Sequence, residues 1–390
     1  MMENSNTYRI GSIDILRGLV MIIMALDHTR DFFHVTALTD NPLNLATTTV
    51  PLFFTRWITH YCAPVFVFLS GTSAFLASRN KTAGEASLFL VKRGLWLVAV
   101  EIAVITLGLT FNPLYNFIIW QVIWAIGWSM FLLGLLIRFP FPAILLTGLI
   151  LFFGHDVFDH IILPQTGVAG NLMKILFTAN GTILPVCSTH FIGVFYAILP
   201  WTGVMLLGYC VGYWFRKEFS AGRRKQLLLS TGIALILLFI VLRFFNVYGD
   251  PVLWDKIHFL SFINTSKYPP SLLYSCMTLG PALVALSFLE NAHTRWTSVL
   301  SVYGRVPFFY YVLHFYILHA LLVIIFFATG HGASEIIDRQ SPFLFRPAAF
   351  GFGLRWVYLI WLSVVAVLYL PCRWFNQYKL THSQWWLRYL

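Results

Sequence analysis

Apolar runs of roughly bilayer length recur along the whole chain, broken by short polar segments that carry most of the charged residues. A hydrocarbon core of about 30 Å takes about 20 mostly apolar residues per helix. Ten segments fit: 12–33, 58–78, 88–110, 117–137, 141–155, 191–214, 225–245, 270–290, 306–328 and 352–371. The fifth is short and is bracketed by Pro140, Pro142 and Gly154, so a re-entrant or irregular end is an alternative to a full crossing. No internal repeat stands out. The first run is interrupted by Asp14 and Arg17 and lacks a small-residue cleavage site, so it does not read as a cleavable signal peptide. The expectation is an all-α polytopic membrane protein, a bundle of about ten transmembrane helices forming one domain over residues 1–390.

Composition agrees with the pattern. The hydrophobic share is 58% and the charged share 11%, against about 45–50% and about 25% in a soluble domain. Five cysteines in 390 residues are too sparse for a disulfide scaffold. The net charge of +11 sits between apolar runs and not along a polar face that could track phosphates, so nucleic acid is not an expected partner. Most of the 26 Lys and Arg fall on the side of the N-terminus, including Arg9, Arg79, Lys81, Lys92, Arg93 and the 216–225 cluster. Cytoplasmic loops hold such an excess, which places both termini inside. Histidine sorts the other way: His28, His34, His60, His155, His160, His190, His258 and His331 fall at outer helix ends or in outer loops.

Ionisable groups at membrane depth cost several kcal/mol unless paired or facing a wet cavity, which makes them functional candidates. Asp14 and Arg17 are three apart and so neighbours on one helix face. They form either a structural ion pair or, through Arg17, a contact to an anionic ligand. At the other end of the first span Asp27, Asp31 and His34 recur at i, i+4 and i+7, and His28 and Asp31 at i and i+3. A carboxylate beside an imidazole fixes its tautomer and stabilises the imidazolium, as a general base or acyl-accepting nucleophile needs. A capping and salt-bridge cluster is the plainer alternative. A Zn or Mn site is a third, but no HExxH-type signature accompanies it and no metal is expected.

His60 opens the second span at the same outer level as His28, followed by Ser70, Gly71 and Ser73, small residues that permit close helix contact. Glu101 lies mid-span with Lys92, Arg93 or a group on another helix as its possible partner. His314, in the segment from Gly304 and Arg305 through Tyr311, is in mid-membrane and needs a polar partner or a cavity. Cys62 and Cys187 both fall outside, and spacing does not decide whether they pair.

Five segments in order, R-x-x-S-I-D-I-L-R-G, D-H-T-R-D-F-F, T-H-Y-C-A-P-V-F-V-F-L-S-G, K-Y-P-P-S-L-L-Y and G-R-V-P-F-F-Y-Y-V-L-H, resemble the bacterial membrane proteins of the heparan-α-glucosaminide N-acetyltransferase catalytic-domain family. The resemblance covers nearly the whole chain. It extends to the wider multi-pass acyltransferase superfamily, whose first helix carries an Arg followed by a His with ten residues between, the spacing of Arg17 and His28. The resemblance implies acyl transfer from a cytoplasmic acyl-CoA, acetyl-CoA foremost, to an amine or hydroxyl of a sugar or glycan at the opposite face of a bacterial cytoplasmic membrane. It implies membrane lipid as surroundings, a homodimer as one possible assembly, and a first-helix His as base or acyl carrier. The superfamily pattern points to His28. The lysosomal members carry their His just beyond the first helix, which points to His34, so His28 ranks first and His34 second. Asp27 or Asp31 would orient the base, His60 or His314 would polarise the thioester, and Asp14, Arg17, Lys92, Arg93 and Arg305 would meet CoA. A proton-coupled secondary transporter using the same His and Asp residues is the competing function.

Overall fold

A backbone inside hydrocarbon must satisfy its own N–H and C=O groups, so each apolar run closes into a helix. A computed structural model of the protein describes residues 10–161, 163–179 and 181–388; Arg9 lies outside them. Helix α1 is Gly11–Phe33, followed by α2 (Val50–Thr59), α3 (Cys62–Ser78), α4 (Ala83–Val100) and α5 (Thr106–Thr110). Strand β1 (Phe117–Trp120) leads into α6 (Val122–Leu136), then α7 (Phe141–Gly154) and α8 (Gly167–Met173). Strands β2 (Thr182–Pro185) and β3 (Phe191–Val194) precede α9 (Ile198–Gly212), α10 (Ala221–Phe245) and α11 (Phe259–Ile263). The chain ends with α12 (Leu272–Leu289), α13 (Arg295–Arg305), α14 (Pro307–Ala328) and α15 (Leu354–Thr381).

Among the described residues seven helical segments are long and apolar enough to cross a membrane: Val50–Ser78, Phe141–His160, Ile198–Phe215, Ala221–Phe245, Leu272–Leu289, Pro307–Ala328 and Leu354–Thr381. The other three expected spans are helices of the same bundle. They are α1 with its internal charges, residues 83–110 running through the π-helical turn Glu101–Ile105, and the shorter α6. The protein is thus an all-α polytopic membrane protein. The fifth expected span is not broken at Gly154 but continues as a 3₁₀ turn, His155–His160. Two expected spans start too early. Residues 117–120 and 191–194 are strands, β1 pairing parallel with β3 and β2 antiparallel with it. Phe-Ile-Ile-Trp and Phe-Ile-Gly-Val are β-branched and aromatic runs, and periodicity alone does not separate such a run from a buried helix.

Ile10, Arg17 and Lys379 line one cleft, so both ends of the described chain lie at the same end of the bundle. Helix α1 runs through the interior. Its close approach to α13 needs glycine on both sides: a Cβ on Gly304 would meet the Asp14 carbonyl, and one on Gly18 the Leu300 carbonyl. The small residues of the second span work as expected, since Gly71 faces the Met205 backbone of α9. Beyond α1 the chain 330–353 folds back over its C-terminal end. Phe352 N–H donates to the Phe33 carbonyl at 2.7 Å, and buried Arg346 donates to the carbonyls of His34, Pro347 and Phe350. Burial lowers the Arg346 pKa to about 10, leaving it charged.

Candidate active site

Arg17 and His28 are eleven residues apart on α1, which at 100° per residue returns them to one face about 16 Å apart along the axis. Met21 lies between them on the same stripe. At the His28 end the polar partner that His314 requires comes from α1 itself: His28 Nδ1 and His314 Nε2 are 2.6 Å apart and the rings stack at 4.9 Å between centroids. The network fixes the tautomers. His314 Nδ1 lies 3.3 Å from the Tyr310 carbonyl, which can only accept, so Nδ1 carries the proton and Nε2 is an acceptor. His28 Nδ1–H then donates to it, which leaves His28 Nε2 with a free lone pair. Phe315 stacks on His28 at 4.5 Å, and Tyr311 stands edge-on to it at 6.2 Å.

Neither carboxylate hydrogen-bonds His28, contrary to the expectation that Asp27 or Asp31 would orient it. Arg56 of α2 donates to both oxygens of Asp27, at 2.6 Å to Oδ1. Arg30 lies 3.1 Å from Asp27 Oδ1 and 2.5 Å from Asp31 Oδ1. Asp27 precedes His28 directly and so projects about 100° away from it on the helix. A guanidinium also makes a stronger, charge-assisted partner for a carboxylate than a neutral ring does. Lys267, mostly buried, stands 5.1 Å over the Tyr268 ring at the same place. Burial works against the Tyr268 phenolate, but the charges of Lys267 and Arg56 outweigh it and lower the pKa below that of an ordinary tyrosine. Arg56 had no motif to mark it. The signal was available in reverse, since a buried Asp27 requires a cation from another helix.

His28 opens onto a cavity of about 1000 Å³ at the end of the bundle away from the termini. Its walls carry Asp27, Arg30, Asp31, Arg56, Lys267 and Tyr268, with Asn112, Asn116 and Gln121 opposite and the 337–344 segment forming a rim. At the other end are two clefts. One, of about 530 Å³, is lined by Asp14, Arg17, Arg79, Lys81 and Lys379. The second, of about 390 Å³, is lined by Arg17, Ser70, Arg93, Arg305 and Lys379. Arg17 donates to Ser73 Oγ at 2.7 Å and to the Gly304 carbonyl at 3.2 Å, with Asp14 at 3.4 Å, so it ties α1 to α3 and α13 while facing both clefts. Arg305 lies 3.8 Å from Asp14. A throat of about 90 Å³ shares Ser70, Arg93 and Phe308 with the second cleft and is lined deeper in by Met21, Leu97 and Tyr311, the last edge-on to His28.

Other expected site residues fall elsewhere. Lys92 is exposed and lines neither cleft, because adjacent residues on a helix point about 100° apart and Arg93 takes the inward face. His34 caps α1, with Nδ1 3.0 Å from Thr36 Oγ1 and its carbonyl held by Arg346, and it does not line the His28 cavity. His60 is fully buried against Tyr274, and its ring nitrogens have no hydrogen-bond partner among the described residues. Glu101 pairs with neither Lys92 nor Arg93. It accepts the Gln121 N–H at 2.9 Å, across the wall between throat and cavity. Cys62 is buried, Cys187 is exposed, and both are free thiols.

A family model described as heparan-alpha-glucosaminide N-acetyltransferase, catalytic, matches residues 9–241. That stretch carries α1 with Arg17 and His28, Arg56 and Arg93, but not His314 or Lys267. No curated protein matches the chain.

Proposed function

The chain belongs to the heparan-alpha-glucosaminide N-acetyltransferase catalytic family, and from that premise we propose that it moves an acetyl group from cytoplasmic acetyl-CoA to a sugar amine or hydroxyl presented at the opposite face of a bacterial cytoplasmic membrane. The observation that carries this reading is the position of the His28–His314 pair, with the large cavity and its charged side chains on one side and the throat from the basic clefts on the other. Arg17, Arg93 and Arg305 suit the phosphates of CoA, because guanidinium groups bind them with charge-assisted hydrogen bonds. The apolar walls of the throat suit the pantetheine arm. The acceptor enters from the outer cavity.

His28 Nε2 takes the proton from the acceptor N–H or O–H as that atom attacks the thioester carbon. The new C–N or C–O bond forms, the C–S bond breaks, and the proton on Nε2 passes to the departing thiolate, leaving CoA and the acetylated sugar. His314 holds His28 in the tautomer that keeps Nε2 free. The buried hydroxyl of Tyr311, at the top of the throat, is placed to donate to the thioester oxygen as it gains charge.

The test is transfer from radiolabelled acetyl-CoA by purified protein offered a panel of amino sugars and envelope glycans. The expected result is label on a sugar, lost in His28→Ala and retained in His34→Ala. Loss in His34→Ala with retention in His28→Ala would move the base to His34. Uptake of unmodified sugar into proteoliposomes, with no acetylated product, would replace acyl transfer by transport.

A further inference from the structure

Away from His28, a second apolar groove opens on the flank of the bundle. It has a volume of about 350 Å³ and lies between α7, α9 and α10, floored by Phe68 of α3 and by Leu279 and Leu283 of α12. Helices α7 and α10 bury little of their surface against the rest of the protein, and Leu146, Ile150, Leu237 and Val241 are exposed on them, so this flank faces lipid. The lining follows α7 from Phe141 to Phe153, twelve residue steps or about 18 Å of helix. That reaches from the bundle end on the N-terminal side just past the middle of a 30 Å hydrocarbon core. The depth is that of one leaflet, and the opening is sideways.

The mouth is not apolar. Tyr213 and Trp214 line it where α9 ends, and Tyr213 packs on Phe141 at 5.5 Å and on Phe219 at 5.6 Å. Each of the two outer rings carries a cation: Arg216 stands 4.9 Å over Tyr213, and Arg223 stands 5.2 Å over Phe219. Among these charges Arg216 meets Glu218, in a pair exposed on both sides at 3.0 Å, and such pairs contribute little and exchange readily. An apolar slot one leaflet deep, with two arginines on an aromatic platform at headgroup level, matches a chain that carries a phosphate at its end.

We propose that this groove is a binding site for an anionic phospholipid of the leaflet on the N-terminal side, one acyl chain lying along α7 between α9 and α10 and the phosphate held between Arg216 and Arg223. The site is separate from the His28 cavity, so it stands or falls independently of the acyl-transfer reading. Basic pockets between helices at a membrane face are known to select anionic headgroups. Two arginines close to the headgroup give a preference on the order of tenfold over a zwitterionic lipid with the same chains.

Native mass spectrometry of the detergent-purified full chain, titrated with dioleoyl phosphatidylglycerol or dioleoyl phosphatidylcholine, tests it. The expected result is one phosphatidylglycerol retained about tenfold better than phosphatidylcholine. R216Q combined with R223Q should bring the two lipids level. Leu149→Trp, which fills the slot, should lower retention of both. Both changes are at exposed positions, and the fold of each variant is checked by its elution as a single species. Equal retention of the two lipids by the unaltered protein would overturn the headgroup assignment. A phosphatidylglycerol preference that survives R216Q with R223Q, or retention untouched by Leu149→Trp, would overturn the site.

Discussion

His314→Ala isolates the part of the site that acts through another residue. His314 is fully buried, and its Nε2 accepts the His28 Nδ1–H at 2.6 Å. Truncation strands that N–H where no other acceptor replaces it, and an unsatisfied buried polar group costs about 1–3 kcal/mol. The ring escapes the cost by turning or by moving its proton to Nε2, and either change removes the lone pair that the acceptor needs. At 1.36 kcal/mol per factor of ten, kcat should fall about 5- to 150-fold, with KM for acetyl-CoA little changed because the clefts are untouched. His28→Ala removes the base itself and should cost about 10²- to 10⁴-fold. The combination is the informative variant. If His314 works only through His28, the double variant is no slower than His28→Ala alone, since residues acting as one unit are not additive. His314→Gln, whose amide oxygen can accept, should recover part of the loss. Initial rates of label transfer at saturating acetyl-CoA, on protein whose melting temperature has been checked, give all four values. Losses that multiply in the double variant, or a His314→Ala rate equal to the parent's, would refute the pairing argument.

Three further outcomes follow from the geometry. Arg93→Ala should raise KM for acetyl-CoA about tenfold, the value of about 1.4 kcal/mol expected for a charge-assisted hydrogen bond, while Lys92→Ala should leave it unchanged; equal effects would dissolve the distinction between inward and outward faces of α4. Gly304→Ala drives a methyl group onto the Asp14 carbonyl and should cost about 1–3 kcal/mol of stability, read as a lowered melting temperature, whereas Gly11→Ala, with open space around it, should be neutral. Hydrogen bonds from the Thr189 backbone and hydroxyl, with His190 beside it, lower the exposed Cys187 thiol to about 7. The thiolate is the reactive form, so its alkylation should rise between about pH 6 and pH 8 and then level off, where an ordinary thiol would keep gaining. Since the other four cysteines are buried, a membrane-impermeant maleimide on intact cells also reports sidedness. Labelling only after permeabilisation would place the Cys187 loop, and with it the His28 cavity, on the cytoplasmic side.

The all-α polytopic plan was legible because the bilayer imposes a length and an apolarity that one sequence displays directly, and seven of the ten expected spans meet both among the described residues. What hydropathy could not show was where a run of Phe, Ile and Trp leaves the helix, and so β1 and β3 were read as first turns of α6 and α9. The site was legible to the extent that it lies on a single helix. Arg17 and His28 stand out from their spacing, and His314 stands out as a mid-membrane imidazole. That the two histidines touch, and that Asp27 belongs to Arg56, depends on which helices are neighbours, and no local pattern encodes that. Carboxylates one and three residues from His28 looked like its partners until guanidinium groups from α1 and α2 claimed them. Lys92 and Arg93 were read as a pair because adjacent charges look alike in sequence, although a helix sends them to different surroundings.

The narrowness of the throat bears on the energetics of the cell that houses this protein. Open cavities approach His28 from one side and Arg17 from the other, and an aqueous column joining them past an imidazole pair would conduct protons down a membrane potential. Met21 of α1, Leu97 of α4, and Phe308 and Tyr311 of α14 leave about 90 Å³ of open volume there, an apolar packing that opposes a continuous column of water. On the proposed function, a thioester arm reaching His28 would pass through this seal and take the place of the packing while it reacts. On that proposal, the side chains that line the passage for the acyl donor are also the ones that keep protons from leaking past His28.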